Sequence, residues 1–377
     1  MARCAWCGEA SLLISRGLEV CGRCLRQGQD CADFGELGRA GALVVEKHVA
    51  ARRRWLLPPT PPEDEGGLAC EQCANSCRVG VGGQGYCGLR RNVSGHWEGV
   101  SAERGVVSWY YDDLPTNCVA DWVCAGGTGA GHPRYALTPG PERGYRNLAV
   151  FFHGCTFDCL FCQNWHHRDA LGAGETRSSE ELAAAADDRT TCICYFGGDP
   201  SAQMPFALRA SALALERARG RLLRICWETN GSMSGQHLDR AVALSLETGG
   251  TVKFDLKAWS PRLHRALTGV DNRRTLKNFA RASAPIAKRP DPPLLVASTL
   301  LIPGYVDEEE VTALARFIAR LSPDIPYALL AFAPQFTMND LPTTSRAHAL
   351  RAAEAATGAG LTRVHVGNVH LLGSSYE

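Results

Sequence analysis

An α/β fold, a partial (β/α)6 TIM-like barrel carrying N-terminal cysteine-rich metal-binding modules, is what this 377-residue sequence predicts. Three observations point to it. From Asn147 onward, short apolar runs rich in β-branched and aromatic residues alternate with alanine- and leucine-rich stretches of helical period, as repeated βα units do. Polar, glycine-containing motifs follow the apolar runs, at the strand carboxyl ends where such barrels hold their chemistry. Ahead of Asn147, many of the chain's 17 cysteines recur in C-x2-C pairs. A chain this long needs no disulfide staples, so that spacing points to metal ligation.

Taken in order, residues 1–57 form a zinc-ribbon-like module and a helix: Cys4-x2-Cys7 and Cys21-x2-Cys24 open it, and a helical stretch follows around 43–55. The run Arg52-Arg53-Arg54 reads as a solvated helix face. Residues 58–67, Pro58-Pro59-Thr60-Pro61-Pro62-Glu63-Asp64-Glu65-Gly66-Gly67, have the locked prolines and polar tail of a linker. Residues 68–146 form a glycine-dense, cysteine-rich module packed on the barrel, loop-rich with short strands at most. The barrel occupies 147–377. Its strands are predicted at 147–153, 192–196, 223–227, 251–256, 294–302 and 327–332, with a candidate seventh at 362–369. Helices are predicted at 179–187, 205–218, 238–248, 273–283, 308–320 and 345–357.

Forty basic residues against 39 acidic ones leave no charge excess of the kind that holds nucleic acid in bulk. No run approaches the ~20 apolar residues of a membrane span, and Met1-Ala2-Arg3-Cys4 does not open a signal peptide. A soluble protein of the reducing cytoplasm, with no membrane partner, is expected.

The chemistry centres on Gly154-Cys155-Thr156-Phe157-Asp158-Cys159-Leu160-Phe161-Cys162-Gln163-Asn164-Trp165. Three thiolates at C-x3-C-x2-C cannot complete a four-thiolate site, so a [4Fe–4S] cluster held there keeps one iron open to another ligand. The alternative is a structural zinc with a distant fourth ligand. Tyr195-Phe196-Gly197-Gly198-Asp199-Pro200 follows the second strand, where glycines let backbone approach a ligand closely. Glu228-Thr229-Asn230-Gly231 follows the third, and Lys253-Phe254-Asp255-Leu256-Lys257 the fourth. Leu301-Ile302-Pro303-Gly304-Tyr305-Val306-Asp307 and Phe332-Ala333-Pro334-Gln335-Phe336 end the fifth and sixth, as substrate-side lining or plain turns.

Two four-cysteine sets remain. Cys4, Cys7, Cys21 and Cys24 have zinc-ribbon spacing. Cys70-x2-Cys73-x3-Cys77-x9-Cys87 suits zinc or an auxiliary cluster, and its unequal spacing leaves both open. Cys31 reads as a spare thiol, and Cys118 and Cys124 as passive loop thiols or further ligands. Cys192, Cys194 and Cys226 fall within strands as packing thiols. His153, His166 and His167 flank the three-cysteine loop as proton donors or polar rim.

Those motifs together resemble the radical S-adenosylmethionine (SAM) superfamily. Gln163-Asn164-Trp165, Glu228-Thr229-Asn230-Gly231 and the Asp255-x-Lys257 pair are similar to the pyruvate formate-lyase activating enzyme branch. Residues from Cys70 resemble the amino-terminal module of the radical SAM proteins of the AmmeMemoRadiSam system. The resemblance implies that Cys155, Cys159 and Cys162 hold a [4Fe–4S] cluster and that Phe161 packs near the SAM adenine. It also implies that Gly197 and Gly198 offer backbone to the SAM amino group, and that Lys257 faces its carboxylate, with Glu228, Asn230 and Asp255 around it. Asp199 stands where the family has Glu, and Glu228 where it has Asp.

The implied reaction is reductive cleavage of SAM to a 5′-deoxyadenosyl radical, which abstracts hydrogen from an unidentified substrate, a protein or peptide among the candidates. The implied electron source is a one-electron donor such as flavodoxin or ferredoxin. Six strands leave a wide lateral opening, which the second module could plug. The alternatives are a non-catalytic zinc and iron–sulfur scaffold or sensor, and an RNA-modifying radical enzyme using the ribbon as its RNA contact.

Overall fold

A computed structural model describes residues 1–27, 39–172 and 175–376; Cys31 lies outside these residues. The core is an eight-stranded sheet of β1 (Val107–Asp113), β2 (Arg146–Phe152), β3 (Thr190–Gly197), β4 (Arg224–Thr229), β5 (Val252–Asp255), β6 (Leu295–Leu301), β7 (Tyr327–Ala331) and β8 (Val364–Gly367). Their spatial order is sequential. β2 to β8 run parallel, whereas β1 pairs antiparallel with β2. Among the described residues β1 and β8 do not pair, so the barrel stays open.

The α/β partial barrel is therefore present, with more strands than the six expected. β8 is the candidate seventh. β1 is a correction: seven residues of the module read as loop-rich form the edge strand. Its aromatic, β-branched start, Val107-Ser108-Trp109-Tyr110-Tyr111, carries a strand signal, but a local pattern does not name the partner strand.

Helices α1 (Arg39–Arg53), α2 (Ser179–Ala184), α3 (Met204–Ala218), α4 (Gly235–Thr248), α5 (Pro261–Thr268), α6 (Arg273–Ser283), α7 (Glu308–Leu321) and α8 (Arg346–Gly358) complete the framework. Side-chain caps set several starts: Ser234 accepts from His237 N–H at α4, and Asp307 from Glu310 N–H at α7. α5, unforeseen, begins at Pro261 after its cap Ser260.

Strand alternation gives the two sheet faces different jobs. Tyr195, Trp227 and Phe254 are fully buried on the outer face; Tyr195 Oη meets Ser211 of α3 at 2.8 Å, and Phe254 packs edge-on to Phe279 of α6. The neighbours in sequence, Cys194, Glu228, Lys253 and Asp255, turn to the lumen. Residues 118–124, between β1 and β2, cross that lumen. Cys118 Sγ donates to Glu228 Oε1 at 3.2 Å, and Ala120 and Val123 pack on Val296. Trp122 stacks on His365 of β8 with ring centroids 4.8 Å apart. Below them Arg224, fully buried, is paired with Glu142 at 2.6 Å and donates to Tyr135 O.

The ribbon docks on the turn after β6, where Tyr305 Oη accepts from Ser15 N–H and donates to Val20 O, both at 3.0 Å. Residues 58–67 lie against their neighbours: Pro58 O accepts from Arg52 Nε, Pro62 O from Arg78 N–H, and Asp64 Oδ2 from Gly80 N–H. Arg52 is not solvated as the sequence suggests. It is 1% exposed, its guanidinium lying 3.6 Å from the Tyr86 ring centroid.

Candidate cluster and cofactor site

β2 delivers the three-cysteine loop directly to the strand-end mouth. Gly154 takes φ +82°, and a Cβ there would stand 2.8 Å from Leu89 of the second module. Leu160 O accepts from Thr337 N–H at 3.1 Å and Thr337 Oγ1 at 2.7 Å, while Leu160 N–H donates to Leu267 O at 3.0 Å. Barrel loops thus pin the cluster loop from two sides.

Cys155, Cys159 and Cys162 line one open cavity, together with Phe161, Gly197, Gly198, Asp199, Glu228, Asn230, Asp255 and Lys257. Residues drawn from four separate strand ends therefore meet in one place. Burial pushes the Cys155 thiol well up, Cys159 up to about 12 and Cys162 up. As free thiols they resist ionisation, and a cationic metal centre supplies what their thiolates lack.

Gly198 must be glycine here, because a Cβ would approach Gly154 O to 2.3 Å. Asp199 is 4% exposed, and both its oxygens are engaged: Oδ1 accepts from Ser201 N–H at 2.7 Å, and Oδ2 from Asn230 N–H at 2.6 Å. Thr229 Oγ1 reaches it at 3.1 Å. Burial nonetheless raises its pKa against these donors. The shorter acid therefore ties two strand-end loops together. Asn230 Nδ2 in turn donates to Thr156 Oγ1 at 2.8 Å, linking that tie to the cluster loop.

Asp255 Oδ2 pairs with Lys257 Nζ, which also stands 5.4 Å from the Phe161 ring centroid. Burial works against the lysine's charge, but the paired Asp255 outweighs it and holds its pKa above the usual value. Asp255 Oδ1 is buried with no protein partner. An orphaned acceptor beside a lysine in this cavity fits a ligand carrying both amino and carboxylate groups. Glu228 lies deeper, 2.9 Å from Lys253 Nζ.

Lys253 escaped sequence reasoning as a site residue, and Cys118, read as a passive loop thiol or further ligand, lies beside it in the lumen. Lys253 Nζ also donates to Cys118 Sγ at 3.1 Å and Cys194 Sγ at 3.0 Å. The spacing Lys253-x-Asp255-x-Lys257 on one strand face was the available signal. Cys192, Cys194 and Cys226 are buried as expected. From β6 and β7 the cavity takes Leu300 and Leu330 of the strands themselves, and not the proline turns that follow. His167 also lines it, 2% exposed and neutral because burial pushes its pKa well down. His166 is exposed and pairs with Asp169.

Cys4, Cys7, Cys21 and Cys24 bring their ligand atoms within 4.8 Å of one another, the one such set among the described residues. Cys70, Cys73, Cys77 and Cys87 are spread wider. Their segment pairs Cys73 with Met233, hydrogen-bonds Ala74 N–H to Ser232 O at 2.8 Å, and sends Asn75 Nδ2 to Thr156 O at 2.8 Å.

Residues 149–318 match the model of the Radical SAM superfamily. An isethionate sulfite-lyase activating enzyme of Desulfovibrio desulfuricans is 34% identical over 36% of this chain and 40% of its own. A pyruvate formate-lyase 1-activating enzyme of Escherichia coli is 25% identical over 43% of this chain and 63% of its own. An uncharacterised protein of Methanocaldococcus jannaschii is 22% identical over 81% of this chain and 83% of its own. The chain thus spans less than two thirds of either activating enzyme. The matched stretch contains the three-cysteine loop and the strand ends through β6, and with it the chain carries a Radical SAM domain.

Proposed function

We propose that the chain is a radical SAM enzyme in which Cys155, Cys159 and Cys162 hold a [4Fe–4S] cluster whose fourth iron receives SAM. One observation carries this: three thiols that cannot close a site by themselves share a cavity with the cofactor motifs of four strand ends. When bound, the reduced cluster and SAM supply a 5′-deoxyadenosyl radical that takes hydrogen from a substrate. The chain's residues bind, orient and shield. Lys257 meets the SAM carboxylate, and Asp255 Oδ1 with the Gly197–Gly198 backbone takes the amino group. Phe161 supports the adenine, and Asn230 and Asp199 hold the loops in register.

The filled lumen supports a substrate presented at the strand-end mouth, and a protein or peptide segment is the reading in keeping with the activating-enzyme relatives. A flavodoxin or ferredoxin is the proposed electron source and the cytoplasm the proposed compartment; no helix among the described residues is long and apolar enough to cross a membrane. The tight Cys4 set is proposed for zinc, since tetrahedral Zn–S bonds of about 2.3 Å bring thiolates to about 3.8 Å of one another. The wider Cys70 set suits a polynuclear cluster.

The test is anaerobic reconstitution with iron and sulfide, reduction in the presence of SAM, and assay of 5′-deoxyadenosine with metals counted. Formation of 5′-deoxyadenosine supports the reading; a loaded, reducible cluster with no affinity for SAM overturns it in favour of a scaffold.

A further inference from the structure

Asp158 sits between the first two cysteines of the cluster loop, and the functional reading gives it no task. It is fully buried among three basic side chains, His48, Arg52 and Arg168. Its carboxylate meets His48 Nδ1 at 2.9 Å and Arg168 Nη2 at 2.8 Å, with Arg52 Nη1 at 3.6 Å. His48 Nε2 lies 3.1 Å from Ala266 O, so both ring nitrogens face acceptors.

Two of these partners, His48 and Arg52, belong to α1, far outside the stretch that matches the superfamily model. The third, Arg168, is 1% exposed and lines the cavity beside the cluster thiols. Arg168 is the cation of this group that reaches the cavity of the three thiols, and its burial leaves little water to screen it. Lys257 stands nearby, but Asp255 neutralises it.

We infer that Asp158 is the post by which helix α1 positions the cluster loop, and that Arg168, oriented by that post, raises the reduction potential of the cluster. The inference rests on the reading that Cys155, Cys159 and Cys162 hold a [4Fe–4S] centre. Reduction adds a negative charge to that centre, and a fixed neighbouring cation favours the added charge. Arg168 and His48 are positioning residues here: neither supplies a ligand.

The experiment uses the full chain, reconstituted anaerobically with iron and sulfide and titrated electrochemically without SAM. The signal of the site is identified by its loss in Cys159→Ala. Arg168→Gln is expected to shift the midpoint to more negative potential, and Arg168→Lys to restore most of it. His48→Ala is expected to speed iron release to a chelator, with zinc content and melting temperature unchanged, and His48→Gln, which keeps a donor for Asp158, to slow it again. Should Arg168→Gln retain zinc and its melting temperature but take up no iron, positioning of the loop is supported. A loaded Arg168→Gln with the wild-type midpoint, together with His48→Ala releasing iron at the wild-type rate, overturns the inference. If the signal survives in Cys159→Ala, the assignment of the cluster to these cysteines is what fails.

Discussion

The two four-cysteine sets are gathered in different ways. Cys4, Cys7, Cys21 and Cys24 form a cage from local backbone alone: Cys21 N–H points to Cys4 Sγ at 3.4 Å and Cys24 N–H to Cys21 Sγ at 3.5 Å. Cys70, Cys73, Cys77 and Cys87 lie further apart, and their segment is sewn to Ser232, Met233 and Thr156, residues of the cofactor loops. A self-contained cage folds with its ion, as small metal modules do. A set whose shape depends on the barrel's own loops is coupled to whatever those loops bind.

Four variants order this contrast from large effect to small. Cys159→Ala removes a ligand of the third, three-cysteine set and is expected to abolish 5′-deoxyadenosine formation while zinc stays bound; retained cleavage would sink the cluster assignment. Replacing Cys70 and Cys73 together by alanine should lower the iron count from about eight to about four, one four-iron cluster lost, and should also weaken SAM binding through the Ser232 and Thr156 contacts. Loss of zinc instead of iron would erase the distinction between the two sets. Cys4→Ala should cost the zinc and lower the melting temperature by about 1 °C for each kcal/mol of ribbon docking lost, with SAM cleavage retained. Asn75→Ala removes one hydrogen bond to the cluster loop, worth about 1 kcal/mol; a small rise in the Kd for SAM is expected, and an unchanged Kd would mean that the second module rides on the barrel without coupling to it.

Much of this arrangement is legible locally. The three-cysteine loop, the ribbon spacing and the strand-end motifs each occupy a few consecutive residues, and apolar runs mark the parallel strands. Contacts between distant segments are what the sequence hides. His48 meets Asp158 across 110 residues, and Cys118 meets Glu228 across the same separation. Arg52 looks like any helix-surface arginine until Pro58, Tyr86 and Asp158 enclose it. Asp199 reads as a shortened cofactor ligand, whereas Thr229, Asn230 and Ser201 already occupy its oxygens. β1 was hidden for a related reason: its strand character is local, but its place at the sheet edge is decided by Arg146–Phe152 opposite.

The chain at 118–124, laid across the barrel from Glu228 to His365, occupies the depth of the lumen. Under the proposed reading, cofactor and substrate would then share the strand-end mouth, and the guest seated nearer the lumen would have to enter first and leave last.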